Sequence, residues 1–296
     1  MNGSAAAVLV HACLRDGTGG SPTAVVLDDD RLSDEERRRI PVEHGTSHAV
    51  FLRPERETET AHGRPAFRIR FFTSGEELPA CGHGTVAALA LLANRAGEEG
   101  EYRALLRTSA RTFEGLAVRK GAALVNAAFD PGPVDLRPAS AEERSLVLSA
   151  LGVAGADAGP DARVAGVGRE RLLVPVRNRS VLAALDPNSG RLREVCDHLG
   201  FLGAYVYSPP SPTGELAARM FAPSIGVPED IANANSTACL AAHLADRGIN
   251  RIAVDMGDAV GSPATITASV HPEPTGPRVL VGGTATIGTS HTWVRG

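Results

Sequence analysis

The feature that most restricts this chain is a segment with no polar side. Residues 84–94 read Gly-Thr-Val-Ala-Ala-Leu-Ala-Leu-Leu-Ala-Asn. A helix that is apolar all round has no face for water and must be covered on every side. Its neighbours in sequence read as strands, which predicts a sheet wrapped around a central helix. The pattern then recurs. Phe72-Thr73-Ser74-Gly75-Glu76-Glu77-Leu78-Pro79 lines up with Phe221-Ala222-Pro223-Ser224-Ile225-Gly226-Val227-Pro228 at a constant offset of 149 (221 minus 72), and a second Ala/Leu-rich stretch follows at 236–245. Self-similarity at half the chain length implies a duplicated domain.

Length and composition agree with two packed cores. At 296 residues the chain is long enough for two domains, and its 43% apolar content excludes general disorder. The longest apolar run, 86–93, is far short of a membrane span. Residues 5–10 are apolar but have no basic residue ahead of them, unlike a secretion signal, so the expectation is a cytosolic protein with no membrane contact. A net charge of −4, few aromatics and no basic tract argue against nucleic acid. The four cysteines (Cys13, Cys81, Cys196 and Cys239) have no C-x-x-C spacing and suggest neither a disulfide scaffold nor a zinc site. Lys120 is the only lysine, so Schiff-base chemistry has a single candidate, in a hairpin turn with Gly121.

Turn and capping signals place the elements. Residues 5–12, 24–27, 49–52 and 67–72 read as strands, with a turn at 17–22 and a polar loop at 55–64. Ser33 caps a helix with Glu35 and Glu36 in its first turn, expected to end before Pro41. Strands at 107–118 and 122–128 complete the first domain, and 131–138 reads as a linker. In the second half, 139–151 and 192–199 read as helices and 171–176, 204–208 and 217–221 as strands. The expected domains are 1–130 and 131–296, the last strand packing back on the first domain.

The duplicated turns carry the chemistry. Cys81-Gly82-His83-Gly84-Thr85 opens one buried helix, and Asp230-Ile231-Ala232-Asn233-Ala234-Asn235-Ser236 opens the other. A helix N-terminus presents unpaired N–H groups and the positive end of the macrodipole, and glycines at 82 and 84 let a ligand approach the backbone. Such ends suit a small carboxylate and an enolate-like charge. Thr85 and Ser236 read equally well as ordinary N-caps.

At these residues the chain resembles a known family. Gly19-Gly20-Ser21-Pro22-Thr23-Ala24-Val25-Val26-Leu27, then Gly45-Thr46-Ser47-His48-Ala49-Val50-Phe51, then Phe71-Phe72-Thr73 through Cys81-Gly82-His83-Gly84-Thr85, are similar to the phenazine-biosynthesis isomerase (PhzF-like) family. Arg219-Met220-Phe221-Ala222-Pro223 and Gly226-Val227-Pro228-Glu229-Asp230 extend the resemblance through the second half. It implies an α+β, diaminopimelate epimerase-like fold of two pseudo-symmetric domains, each a β-barrel around a central helix with the site between them. It also implies proton transfer without metal or organic cofactor, and a homodimer. The departures are specific. Ser47-His48-Ala49 stands where the family has Ser-Glu-Thr with a catalytic Glu, and Ala234-Asn235 stands where it has a substrate-binding Gly-Ser. His83 and Asp230 match polar active-site positions.

The reading that follows is a cofactor-independent isomerase shifting a double bond on a small unsaturated carboxylate. PhzF-like isomerases with altered catalytic residues occur in antibiotic pathways that build alkylated prolines, so a proline-derived substrate in secondary metabolism is the finer expectation. His48, Asp230 and His83 handle protons, and Ser47, Gly82, Gly84, Thr85, Ala234, Asn235 and Ser236 bind substrate. An imidazole titrates near 6.5, close to neutral, which suits His48 as the proton carrier. A metal on Glu43, His44 and His48 is disfavoured because Gly45 and the following strand separate the histidines. No Walker loop or G-x-G-x-x-G motif is present and no Cys/His cluster shows in the spacing, so neither metal nor nicotinamide, flavin or pyridoxal is expected. Two alternatives remain: a binding protein that has lost turnover, and a two-thiol racemase. Cys81 would serve the latter, but its counterpart at offset 149 is Asp230, which leaves Cys81 as a small packed residue.

Overall fold

The computed structural model describes residues 6–27, 32–55, 64–97, 100–121, 124–274 and 276–292. They form two compact units, Met1–Asp130 with Gly282–Gly296, and Pro131–Val281. The first contains strands β1 Ala6–Ala12 and β2 Ser21–Leu27, helix α1 Asp34–Glu43, strands β3 His48–Pro54, β4 Ala66–Phe72 and β5 Glu77–Leu78, helix α2 Gly82–Ala96, and strands β6 Glu101–Arg107, β7 Thr112–Arg119 and β8 Leu124–Phe129. The second contains β9 Asp135–Pro138, α3 Ala141–Leu151, β10 Arg163–Val167, β11 Arg169–Pro175, α4 Arg179–Ala183, α5 Ser189–Leu199, β12 Ala204–Tyr207, β13 Glu215–Ala222, β14 Val227–Asp230, α6 Ala234–Ala245, β15 Arg251–Met256 and β16 Ala264–His271. The last strand, β17 Arg278–Thr292, passes from the second unit into the first at Gly282.

In the first unit the ladder runs β1–β2–β3–β4–β6–β7–β8, and β17 pairs with both β8 and β1 to close it into a barrel. Helix α2 lies inside, packed on β1, β2, β3, β6, β7 and β8. Its residues from His83 through Ala93 are all buried, as an all-apolar helix requires. Small side chains let the strands come close. Gly115 of β7 faces Leu89 so tightly that an added Cβ would lie 2.5 Å from Leu89 Cδ2. Gly20, entering β2, combines φ +78 with 2.6 Å between such a Cβ and the Ala12 carbonyl oxygen, so only glycine fits there.

The second unit repeats this topology. Parallel β2–β3, antiparallel β3–β4 and β4–β5, and parallel β4–β6 correspond to β11–β12, β12–β13, β13–β14 and β13–β15. Helix α6 packs on β9, β10, β15 and β16, and α3 and α5 cover a separate apolar cluster that includes Leu151, Leu192, Phe201 and Phe221.

One salt bridge marks the repeat and sets its register. Arg70 forms a bidentate pair with Glu77 (2.8 and 2.6 Å) and lies over the Phe72 ring; Arg219 does the same with Glu229 (2.9 and 2.6 Å) over Phe221. The arginines and phenylalanines are 149 residues apart, but the glutamates are 152 apart (229 minus 77). A 3₁₀ turn, Pro223–Ile225, lengthens the second hairpin by three residues. The offset of 149 therefore stops before this turn, and the match of Pro79 with Pro228 is not structural. The caps follow the new register, with Cys81 on α2 equivalent to Asn233 on α6.

Other expectations are corrected locally. Helix α1 runs through Pro41 to Glu43, because the bonds His44 N–H to Ile40 O and Thr46 N–H to Pro41 O close its last turn without the missing proline N–H. Strand β2 starts at Ser21, so the turn is shorter than 17–22. The expected strand 107–118 is two, β6 and β7, joined by a turn that Thr108 closes on Arg111. The expected linker contains β9, which pairs with β10. Most of the loop at 55–64 lies outside the described residues. Among the described residues no helix is long and apolar enough to cross a membrane.

The Leu89–Gly115 contact is testable by a double-mutant cycle. Leu89→Ala should cost about 2–5 kcal/mol in denaturant unfolding. Gly115→Ala should destabilise the parent but cost less in the Leu89→Ala background, where its methyl enters the vacated space. Equal cost in both backgrounds would show that the two do not pack as described.

Candidate active site

Three buried titratable side chains of the first unit meet at the N-terminal end of α2. His48 opens β3, Cys81 is the N-cap of α2 and His83 lies in its first turn; all three are buried. His83 Nε2 lies 3.2 Å from His48 Nδ1 and 3.4 Å from Cys81 Sγ, and Ser47 Oγ lies 2.8 Å from His48 Nδ1. The two rings meet edge to face with centroids 4.7 Å apart. Hydroxyl, imidazole, imidazole and thiol thus form a continuous chain, in which one proton lies between the two rings and is donated by whichever carries it.

Local structure fixes these groups. Thr46 Oγ1 donates to the His48 carbonyl (2.9 Å), and Thr23 of β2 pairs with His48 across the parallel ladder. Thr85 Oγ1 donates to the Cys81 carbonyl (2.8 Å). Cys81 makes no side-chain cap, and intrahelical bonding begins with Thr85 N–H to Cys81 O, at the positive end of the helix.

The pleat of β3 alternates as expected, but its faces are the reverse of the expectation. Alternation along β3 predicts that Phe51 fills the barrel and that His48 leaves by the opposite face. Instead Ala49 and Phe51 lie beneath α1 with Ile40, where Arg37 sits 5.6 Å from the Phe51 ring. His48 and Val50 face α2. The cause is α1, which supplies a second apolar surface outside the barrel and lets both faces of β3 be buried.

That inward placement changes the titration of His48. Burial, aided by the charge of the neighbouring His83 ring, pushes its pKa from 6.5 down to about 3. The expectation of a near-neutral pKa is corrected: in the ligand-free protein at pH 7, His48 is a neutral imidazole.

Several expected binding residues have other work. Gly84 has a packing role: its missing Cβ would lie 3.0 Å from Val50 Cγ2 and Cys81 Sγ, so the glycine lets α2 seat against β3. The Thr85 hydroxyl donates to backbone. Gly82, half-buried, and Ser47, exposed, remain accessible. Cys81 is more than a packed residue, since its sulfur closes the chain of polar contacts.

In the second unit Asn233, not Ser236, caps α6, accepting from Ser236 N–H at 2.9 Å. Asp230 accepts from Asn233 Nδ2 at 3.0 Å and so braces that cap. Asn233 escaped the sequence reading, although Asn three residues before a buried Ser is a capping signal. Ala234 and Ser236 are buried and Asn235 is half-buried. Thr237 repeats Thr85, donating to the Asn233 carbonyl (3.0 Å), and it also meets the buried Tyr205 hydroxyl (2.8 Å). Cys239 lies inside α6 with Arg171 Nη1 3.0 Å from its sulfur, and burial pushes its thiol pKa up. The position equivalent to Cys81 holds Asn233, so the second unit offers no matching thiol for a two-cysteine racemase.

Residues 10–290 match the family model described as phenazine biosynthesis-like protein. A Deinococcus radiodurans protein described as an uncharacterized isomerase is 29% identical over 287 residues, covering 93% of this chain and 90% of that protein. The trans-2,3-dihydro-3-hydroxyanthranilate isomerase of Pseudomonas aeruginosa is 30% identical over 247 residues, covering 80% and 79%. Among solved structures, a phenazine biosynthesis protein of the PhzF family from Bacillus anthracis aligns with TM-score 0.81 at 19% identity, over 99% of this chain and all of that one.

The depressed pKa gives a signed prediction. Between about pH 6.5 and 3 the unfolded chain binds a proton at residue 48 that the folded chain refuses. Stability should therefore be full above 6.5 and fall as pH drops through this window, by up to about 1.4 kcal/mol per pH unit from this group. Denaturant unfolding of His48→Gln should show a flatter acid limb; an unchanged limb would place the His48 ring in solvent.

Proposed function

The chain belongs to the phenazine biosynthesis-like family of isomerases, and from that premise we propose a cofactor-independent double-bond shift on a small unsaturated carboxylate. The observation that carries this reading is the buried His48–His83 contact of 3.2 Å at the N-terminal end of α2. A substrate carboxylate placed there meets the first-turn N–H groups and the positive end of the helix. Its charge raises the His48 pKa from the ligand-free value, so the pair gains basicity when substrate arrives. His48 then removes a proton from a carbon conjugated with the carboxylate. The electron pair delocalises onto the carboxylate oxygens, the N–H groups stabilise that charge, and the imidazolium returns the proton to another carbon of the same conjugated system. His83 holds the ring and exchanges the shared proton.

Asp230 enters from its family position and serves here as the brace of the α6 cap; Asn235 is the remaining candidate for substrate contact in the second unit. The finer substrate reading is a cyclic carboxylate of the proline type. Its support is the replacement of the family glutamate by His48, together with a site that offers N–H donors and no side-chain cation in the first unit's polar chain.

The test is hydrogen exchange with solvent. A panel of small unsaturated carboxylates, proline-derived ones included, incubated in deuterium oxide should show enzyme-dependent C–H exchange by NMR even where net turnover is slow. His48→Ala should lower exchange by about 10²–10⁴-fold, the usual worth of a positioned base. Exchange by His48→Gln within about threefold of the parent would show that the imidazole is not the carrier. Binding without exchange would favour the alternative of a ligand-binding protein.

A further inference from the structure

We infer that His48, Cys81 and His83 form a binding site for a zinc-like divalent cation. The three potential ligand atoms lie within 4.8 Å of one another and all three residues are buried. A tetrahedral ion with Zn–N near 2.1 Å and Zn–S near 2.3 Å holds its ligand atoms about 3.3–3.6 Å apart. The protein already sets His48 Nδ1 to His83 Nε2 at 3.2 Å and Cys81 Sγ to His83 Nε2 at 3.4 Å, and the third pair, His48 Nδ1 to Cys81 Sγ, lies within 4.8 Å and closes on the ion by side-chain rotation. Two imidazoles and one sulfur, with no carboxylate in the group, select zinc and its neighbours over calcium or magnesium.

The backbone is held for the purpose. Thr46 fixes the His48 carbonyl, Thr85 fixes the Cys81 carbonyl, and the α2 N-terminus carries two of the three ligands. The sequence hides the site because Cys81 and His83 share the first turn of α2 while His48 lies 35 residues before His83. Binding consumes the contacts now present. Cys81 loses its thiol proton to solvent as the S–metal bond forms, both imidazoles enter neutral through His48 Nδ1 and His83 Nε2, and the Ser47 hydroxyl gives up His48 Nδ1. Three protein ligands leave the fourth position to water.

The consequence for turnover rests on the isomerase reading: a cation on both nitrogens occupies the lone pairs that would carry the proton, so it inhibits. Chelator-treated protein should take up one equivalent of Zn²⁺ in equilibrium dialysis. With Co²⁺ as the spectroscopic probe it should show thiolate-to-metal charge-transfer absorption. Cys81→Ser should remove that absorption, and both Cys81→Ser and His83→Gln should weaken uptake by more than the 10–100-fold that supporting residues alone contribute. Circular dichroism of each variant separates a lost ligand from a lost fold, and Cys196→Ser, which alters a buried thiol of the second unit, should leave the absorption unchanged. Failure to bind a stoichiometric cation, or a charge-transfer band that survives in folded Cys81→Ser, overturns the site. Solvent exchange that occurs but is indifferent to bound Zn²⁺ overturns the inhibitory role. Uptake by a protein that never exchanges any carboxylate leaves the metal site standing and removes the isomerase reading.

Discussion

A helix with alanine and leucine on every face can meet polar groups only at its ends. In the first unit the barrel takes the whole length of α2 from His83 through Ala93 out of water. Intrahelical bonding there begins with Thr85 N–H to Cys81 O, and Cys81 supplies no side-chain cap. An apolar interior has no tolerance for backbone donors at a helix end unless something polar is brought to them. His48, His83, Cys81 and Ser47 collect at that end because it is where the packing stops. The N–H groups of the helix, the two rings and the thiol are therefore consequences of one constraint, the burial of α2, and so is the seating of Gly84 against Val50.

The duplication was legible because burial writes it into composition: two Ala/Leu-rich helices, each after a strand and a hairpin. Its register was not. Arg70-x-Phe72 and Arg219-x-Phe221 align at one spacing, while the glutamates that clamp them align at another. A 3₁₀ turn absorbs the difference without disturbing either strand pair, so nothing in the local pattern of apolar residues reports it. What fixes the true register is a bidentate ion pair, and a single sequence does not reveal which of several glutamates an arginine holds.

The site was legible in part for a related reason. His48 and His83 stood out as titratable residues in motifs that resemble a family, and the structure brings them into contact. Their environment did not follow from period two alone. Alternation sorts β3 into two sets, yet which set faces inward depends on α1 covering Phe51 with Ile40 and Arg37, a tertiary fact. The role of Cys81 is hidden on the same account: the offset of 149 pairs it with Asp230 in the other half, while the group it meets is His83, two residues away.

Placing an imidazole where the resemblance implies a carboxylate changes what the site holds at rest. A carboxylate beside His83 would attract a proton onto that ring and leave a buried ion pair. His48 instead repels a second charge, and burial drives it neutral, with a pKa near 3. A neutral His48 that meets His83 through one shared proton suits burial at the end of an apolar barrel. Once the shared proton leaves this contact, His48 Nδ1 and His83 Nε2 both turn lone pairs toward the Cys81 sulfur. A site built to take up a proton from an anionic substrate thereby also suits a soft cation, and the two compete for the same nitrogens.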